Sequence, residues 1–131
     1  MAKNSVYAGI AYDEEYDLLI TATNANSKKW SKLLIHSDYG TRTIVEETIF
    51  DDEDILISCI LLCKKLNVLL LGTSIGTVRV YLWPVVGKKP FQFSEYGIHS
   101  AHISHMEFSS DYKNLFTCSK DNSLYILNVI T

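Results

Sequence analysis

Hydrophobic and polar positions alternate with period two along most of the chain, and the runs are rich in Ile, Val, Leu, Tyr and Thr. That period and those residue types suit a pleated, half-buried surface. The pattern predicts strands at Val6 to Tyr12, Leu18 to Thr23, Lys29 to His36, Thr43 to Ile49, Ile55 to Leu62, Val68 to Gly72, Thr77 to Trp83, Pro90 to Glu95, Ile103 to Phe108, Leu115 to Ser119 and Ser123 to Val129. The connections are short and carry turn chemistry, as in Asn24-Ala25-Asn26, Ser74-Ile75-Gly76 and Lys120-Asp121-Asn122. No stretch sustains a capped helical stripe, so the expected class is all-β without a long helix.

The strands repeat. Leu69 to Tyr81 aligns with Leu115 to Leu127 at an offset of about 46 residues, each copy an apolar strand, a tight polar turn and a second alternating strand. A weaker copy upstream, Tyr12 to Asn24, parallels Phe108 to Lys120. The expected organisation is a single segment of about three units, near 5–50, 51–97 and 98–131, each built on four strands but the last lacking its outer one.

The unit from His102 through Phe108-Ser109-Ser110-Asp111 to Ser119-Lys120-Asp121-Asn122-Ser123 and Leu127 resembles a WD40 repeat. In that family a His, a strand hydroxyl, a turn Asp and an aromatic late in the third strand form a hydrogen-bonded network. The resemblance implies that His102 and Asp121 fill the first and third roles, with Thr117 or Ser119 supplying the hydroxyl. The usual Trp-Asp pair is replaced by Leu127-Asn128, and in the preceding unit by Tyr81-Leu82, with Ile75 where the Asp would stand. A narrower resemblance, over roughly residues 68 to 127, rests on Gly72-Thr73-Ser74-Ile75-Gly76-Thr77-Val78-Arg79-Val80-Tyr81-Leu82-Trp83-Pro84, Glu95-Tyr96 and His102. These are similar to the WD-repeat cilia- and flagella-associated proteins that scaffold inner dynein arms. That likeness implies axonemal dynein-arm or doublet-microtubule proteins as partners, and a cilium or flagellum as the location.

A propeller blade packs both faces on neighbours, which accounts for 47% hydrophobic residues. About four to eight blades close a ring, so about three leave two apolar flanks open, and such patches seldom stay bare. The expectation is a piece of a longer protein that also self-associates in isolation.

Composition narrows the function classes. Twelve basic against fifteen acidic side chains give a net charge of −3, which argues against a nucleic-acid-binding domain. The most hydrophobic run, Ile55 to Leu71, is broken by Ser58, Lys64, Lys65 and Asn67, and no signal-like segment follows Met1, so neither secretion nor membrane insertion is expected. Three cysteines without framework spacing fit a cytoplasmic, reducing compartment.

Candidate chemistry is sparse. His99, His102 and His105 at spacing three would not converge on a strand, and no metal or other cofactor is expected. Cys59 and Cys63 read as small buried apolar residues rather than ligands. No nucleophile elbow or phosphate loop is present, and the acidic cluster Asp51 to Asp54 lacks the pattern of a calcium loop and reads as a solvated turn. Trp83, followed by Pro84, is a candidate partner contact at a rim, against the alternative of outer-edge packing. The reading is a non-enzymatic protein-interaction scaffold, with an adaptor of a ubiquitin-ligase or trafficking complex as runner-up. From another class, a self-closed ligand-binding or hydrolytic barrel would pair the first strand with the last.

Overall fold

The computed structural model describes residues 5–25, 31–37, 39–49, 55–84 and 91–129. They form eleven strands in three antiparallel sheets and no helix. The first sheet runs β1 (Ser5–Asp13), β2 (Leu18–Ala25), β3 (Lys32–Ser37) and β4 (Arg42–Thr48) in sequence order. The second runs β5 (Ile57–Cys63), β6 (Val68–Thr73), β7 (Thr77–Leu82) and β8 (Ser94–Gly97). The third holds β9 (Ile103–Phe108), β10 (Asn114–Ser119) and β11 (Leu124–Asn128), with β11 at its outer edge. β1 and β11 lie in different sheets and do not pair, so among the described residues no barrel closes.

The sheets stack face to face with their first strands together, β1 against β5 and β5 against β9. Leu69, Leu70 and Leu71 show why the apolar run of β6 has no wet side. Leu69 and Leu71 join Ile20, Leu33 and Ile57 in the core between the first and second sheets. Leu70 points the other way, into a core with Ile103, Met106 and Leu115 of the third sheet. Alternation thus distributes one strand's side chains between two dry interfaces.

Turn chemistry holds the hairpins. Asp17 and Asn67 stand at positive φ (51° and 54°) just before β2 and β6, a conformation that Asx residues tolerate. Gly76 (φ 91°) is required sterically: a Cβ there would lie 2.1 Å from the His99 carbonyl oxygen.

Two strands begin three or more residues from the expected start, the others keeping within two residues at either end. The strand expected at Pro90 to Glu95 begins instead at Ser94, because the Phe91 N–H donates to the buried Glu47 carboxylate (3.0 Å) rather than to a ladder. The strand expected from Lys29 begins at Lys32, with residues 29 and 30 outside the described part.

Candidate functional site

Asp13, Ser31, Glu47, His99 and Thr117, polar side chains that the fold buries, lie at the junctions between sheets. At the end where β1 turns into β2, Asp13 is fully buried. It accepts the indole N–H of Trp83 at 2.6 Å and the ammonium of Lys64 at 2.8 Å. The backbone N–H groups of Glu15 and Tyr16 also donate to it, closing the turn as an Asx motif. Burial pushes the Asp13 carboxyl up, but the hydrogen bonds from Lys64 and Trp83 outweigh it and hold the group below its ordinary range. Lys64 is completed by Glu15 at 3.1 Å and by the ring of Tyr16, 4.3 Å from its centroid. Its own titration is raised, first by the hydrogen bond to Asp13.

The other end of the same junction is closed by Asn24. Its amide donates to the Ile57 carbonyl (2.7 Å) and accepts the Ile57 N–H (2.9 Å), taking the place of a ladder partner at the start of β5. Ser31, also buried, donates to the Asn24 side-chain oxygen at 2.8 Å.

The second junction holds the hydrogen-bonded network. His99 Nε2 lies 2.8 Å from Thr117 Oγ1, and Nδ1 lies 2.8 Å from Ser123 Oγ and 3.3 Å from Asp121 Oδ2. Asp121 also accepts the Ser100 N–H (2.9 Å) and the Ser123 N–H and hydroxyl. These bonds, led by the Ser123 hydroxyl and the Ser100 N–H, depress its carboxyl strongly. The ring of Tyr125 packs against His99 at 4.8 Å, an aromatic of the third strand in contact with the imidazole.

This corrects the assignment of the imidazole. His99, not His102, occupies the network, because the 98–102 connection is strapped down by its backbone. Ile98 and His99 donate to the Gly76 carbonyl on one side, while the Ala101 and His102 carbonyls accept from Ser119 Oγ and Lys120 N–H on the other. That path presents the side chain three residues earlier to Thr117. Thr117, not Ser119, supplies the hydroxyl to the imidazole; Ser119 instead ties Ala101 to the Asp121 N–H. In the second sheet Ile75 stands in place of the turn Asp, and the Thr73 hydroxyl closes the turn by accepting the Thr77 N–H at 3.0 Å.

Trp83 is likewise not a rim contact. It is 3% exposed, in the core between the first two sheets, with its N–H on Asp13. A Trp-Pro pair at a strand end gave no sign of a carboxylate 70 residues away. Cys63 is buried in β5 and Cys59 half-buried, and burial pushes the Cys59 thiol up. His105 lies on the exposed side of β9, 3.7 Å from Glu107. Among the described residues no group of three or more ligating side chains could hold a metal. No helix there is long and apolar enough to cross a membrane.

The first sheet's free face carries a further polar bridge. His36 reaches Thr21 Oγ1 through Nε2 and Thr43 Oγ1 through Nδ1, each at 3.0 Å, and desolvation lowers its pKa. In the ladders His36 pairs with Leu19 as Tyr81 pairs with Leu69 and Leu127 with Leu115, so the three stand at one register. Tyr81 is buried in a junction, whereas His36 lies on the outward face of the first sheet, the face that also carries Ile10, which is 69% exposed.

No family model matches the chain. It is 35% identical over 65 residues to a WD repeat-containing protein 55 homolog of Drosophila ananassae, a stretch covering 50% of this chain and 13% of that protein. In structure it is similar to a chain of the crystal structure of the mitotic checkpoint complex, with a TM-score of 0.73 and 13% identity over 98% of this chain and 35% of that one. The chain thus spans a small part of the curated relative and about a third of the structural neighbour. Two four-stranded and one three-stranded antiparallel sheets, stacked through their first strands, and the structural likeness make the fold an open, incomplete β-propeller, and half of its sequence is similar to a WD repeat-containing protein.

Proposed function

We propose that the chain is a non-enzymatic protein-interaction scaffold of an axonemal assembly, binding dynein-arm or doublet-microtubule proteins through its turns. The observation that carries the interaction reading is a division of labour among side chains. The buried Asp13, His99 and Thr117 and the half-buried Asn24 are engaged in joining sheets. Exposed tyrosines stand on the turns that those sheets hold: Tyr16 after β1, Tyr39 between β3 and β4, and Tyr112 between β9 and β10. Tyr39 is 86% exposed. Aromatic side chains on rigidly held turns are the usual source of interface energy. The axonemal address is supported by the resemblance of residues 68 to 127, and the open flanks at Ile10 and at Leu124 and Ile126 support cover by further blades, from this or another copy.

The test is expression of the tagged full chain in cells bearing motile cilia, with imaging and cross-linking mass spectrometry. Axonemal localisation with recovery of dynein-arm or doublet proteins, weakened by Tyr39→Ala, is expected. Cytosolic distribution with recovery of ubiquitin-ligase or trafficking subunits would favour the adaptor reading instead.

A further inference from the structure

The exposed Ile10 and Ile126 belong to the first and third sheets, whose outward faces carry no further sheet among the described residues. Leu56 and Ile75, 38% and 47% exposed, are placed differently. They stand just before β5 and in the turn between β6 and β7, in the second sheet, which packs on a neighbour across each face. Neither lies on an open flank, and both are at the end of the sheets opposite Tyr16 and Tyr112.

Backbone bonds bring the two together. The Ser74 N–H donates to the Leu56 carbonyl (2.8 Å) and the Leu56 N–H donates to Ser74 Oγ (2.9 Å), which seats Leu56 beside the turn that carries Ile75. On the other side of that turn the Gly76 carbonyl accepts the N–H groups of Ile98 and His99. The third unit fills the corresponding places with polar residues, His102 and Asp121, at the same offset of about 46 residues. There the His102 carbonyl accepts the Lys120 N–H as the Leu56 carbonyl accepts that of Ser74, and Asp121 turns inward onto Ser100 and Ser123. Because Thr73 closes the second turn without a carboxylate, the turn makes no demand on Ile75. Single exposed apolar residues need no explanation, but a pair fixed on a held turn offers a partner an anchor at small entropic cost.

Charge selects the partner. Asp51-Asp52-Glu53-Asp54, outside the described residues, directly precede Ile55 in the chain, so connectivity alone sets four carboxylates within a few residues of Leu56, against Lys120 on the next turn. We propose that Leu56 and Ile75 form a docking site for a basic segment of a partner protein, with an aliphatic side chain seated on the pair and lysine or arginine flanking it. An acidic segment would meet like charge there.

The inference rests on the scaffold reading and deepens it by naming the chemistry of one partner segment. The probe is the labelled peptide Lys-Arg-Leu-Leu-Arg-Lys, titrated into the full chain at low salt and followed by fluorescence anisotropy and by methyl NMR. It is expected to bind at least about tenfold more tightly than Lys-Arg-Ser-Ser-Arg-Lys or Glu-Asp-Leu-Leu-Asp-Glu, and to shift the methyl signals of Leu56 and Ile75 rather than those of Ile10 and Ile126. Ile75→Asp, which copies the third unit, should weaken binding by about tenfold with an unchanged urea midpoint. Leu56→Ser provides the same comparison should the first variant fold poorly. Equal binding of the leucine and serine peptides, unchanged affinity in both variants, or shifts confined to Ile10 and Ile126 would overturn the proposal. Such a failure alongside intact axonemal capture in cells would sink this site alone; peptide binding without axonemal capture would sink the axonemal address alone.

Discussion

The indole N–H of Trp83 donates to Asp13 Oδ2 at 2.6 Å, across the junction between the first two sheets. Both side chains are buried; removing Asp13 takes the acceptor from the Trp83 N–H, whereas removing Trp83 takes one donor from a carboxylate that keeps Lys64 and two backbone N–H groups. Hydrogen bonds to a charged group contribute about 1.5–3 kcal/mol, more than neutral ones. The pair therefore joins two repeats through chemistry as well as through apolar contact, and several consequences can be measured.

Acid should loosen this junction. Because the folded Asp13 titrates below its ordinary value of 3.8, its contribution is fully present above that pH and is lost as pH falls through the lower folded value. Asp111 and Asp121, also depressed, act in the same direction. Urea titrations from pH 6 to pH 2 should show stability falling below about pH 4, with a shallower fall in Asp13→Asn.

The two candidate imidazoles can be separated by stability alone. His99→Ala leaves the buried Thr117 hydroxyl without its partner and should cost about 1–3 kcal/mol in chemical denaturation. His102→Ala keeps the backbone bond from Lys120 and should stay within about 0.5 kcal/mol of the parent. The reverse order would restore the family-based assignment of His102.

That assignment shows where sequence reasoning reached and where it stopped. Alternation, turn residues and the repeat near 46 residues were sufficient for an all-β chain of repeated hairpins, because period and turn chemistry are local properties. Which of His99, His102 and His105 enters the junction depends on how the 98–102 backbone is strapped between Gly76 and Lys120, and no spacing rule encodes that. Trp83 failed for a similar reason: Pro84 suggested a rim, while its true partner lies in another repeat. Asp13 opens the acidic run Asp13-Glu14-Glu15 and nothing in that run marks it as buried, although its Asx bonds to Glu15 and Tyr16 are the kind such a turn makes. Glu47, which replaces a ladder bond for Phe91, gave no sequence signal beyond its place in a strand.

Gly76 should tolerate no side chain. Its φ of 91° disfavours any L residue, and the Cβ of alanine would meet the His99 carbonyl carbon at 2.5 Å. Gly76→Ala should cost more than about 2 kcal/mol, read as a lower urea midpoint. An unchanged midpoint would mean that the β6–β7 turn is free to move away from the 98–102 connection.

Asn24 should matter more for its shape than for its polarity. Asn24→Asp keeps the acceptor for the Ile57 N–H but loses the donor to the Ile57 carbonyl, whereas Asn24→Ala loses both. The expected order of stability is Asn, then Asp, then Ala, with the last about 1–3 kcal/mol below the parent. Equal stability of the alanine variant would show that Ile57 finds water at that end.

A double-mutant cycle on Asp13 and Trp83 tests most directly whether the repeats are sealed against one another as blades. Asp13→Ala, Trp83→Phe and the double variant are compared by urea denaturation at pH 7. Residues in contact couple by about 0.5–3 kcal/mol, and a coupling of at least about 1 kcal/mol is expected for this charge-assisted bond. Strict additivity of the two single losses would contradict the junction, and with it the arrangement of the sheets.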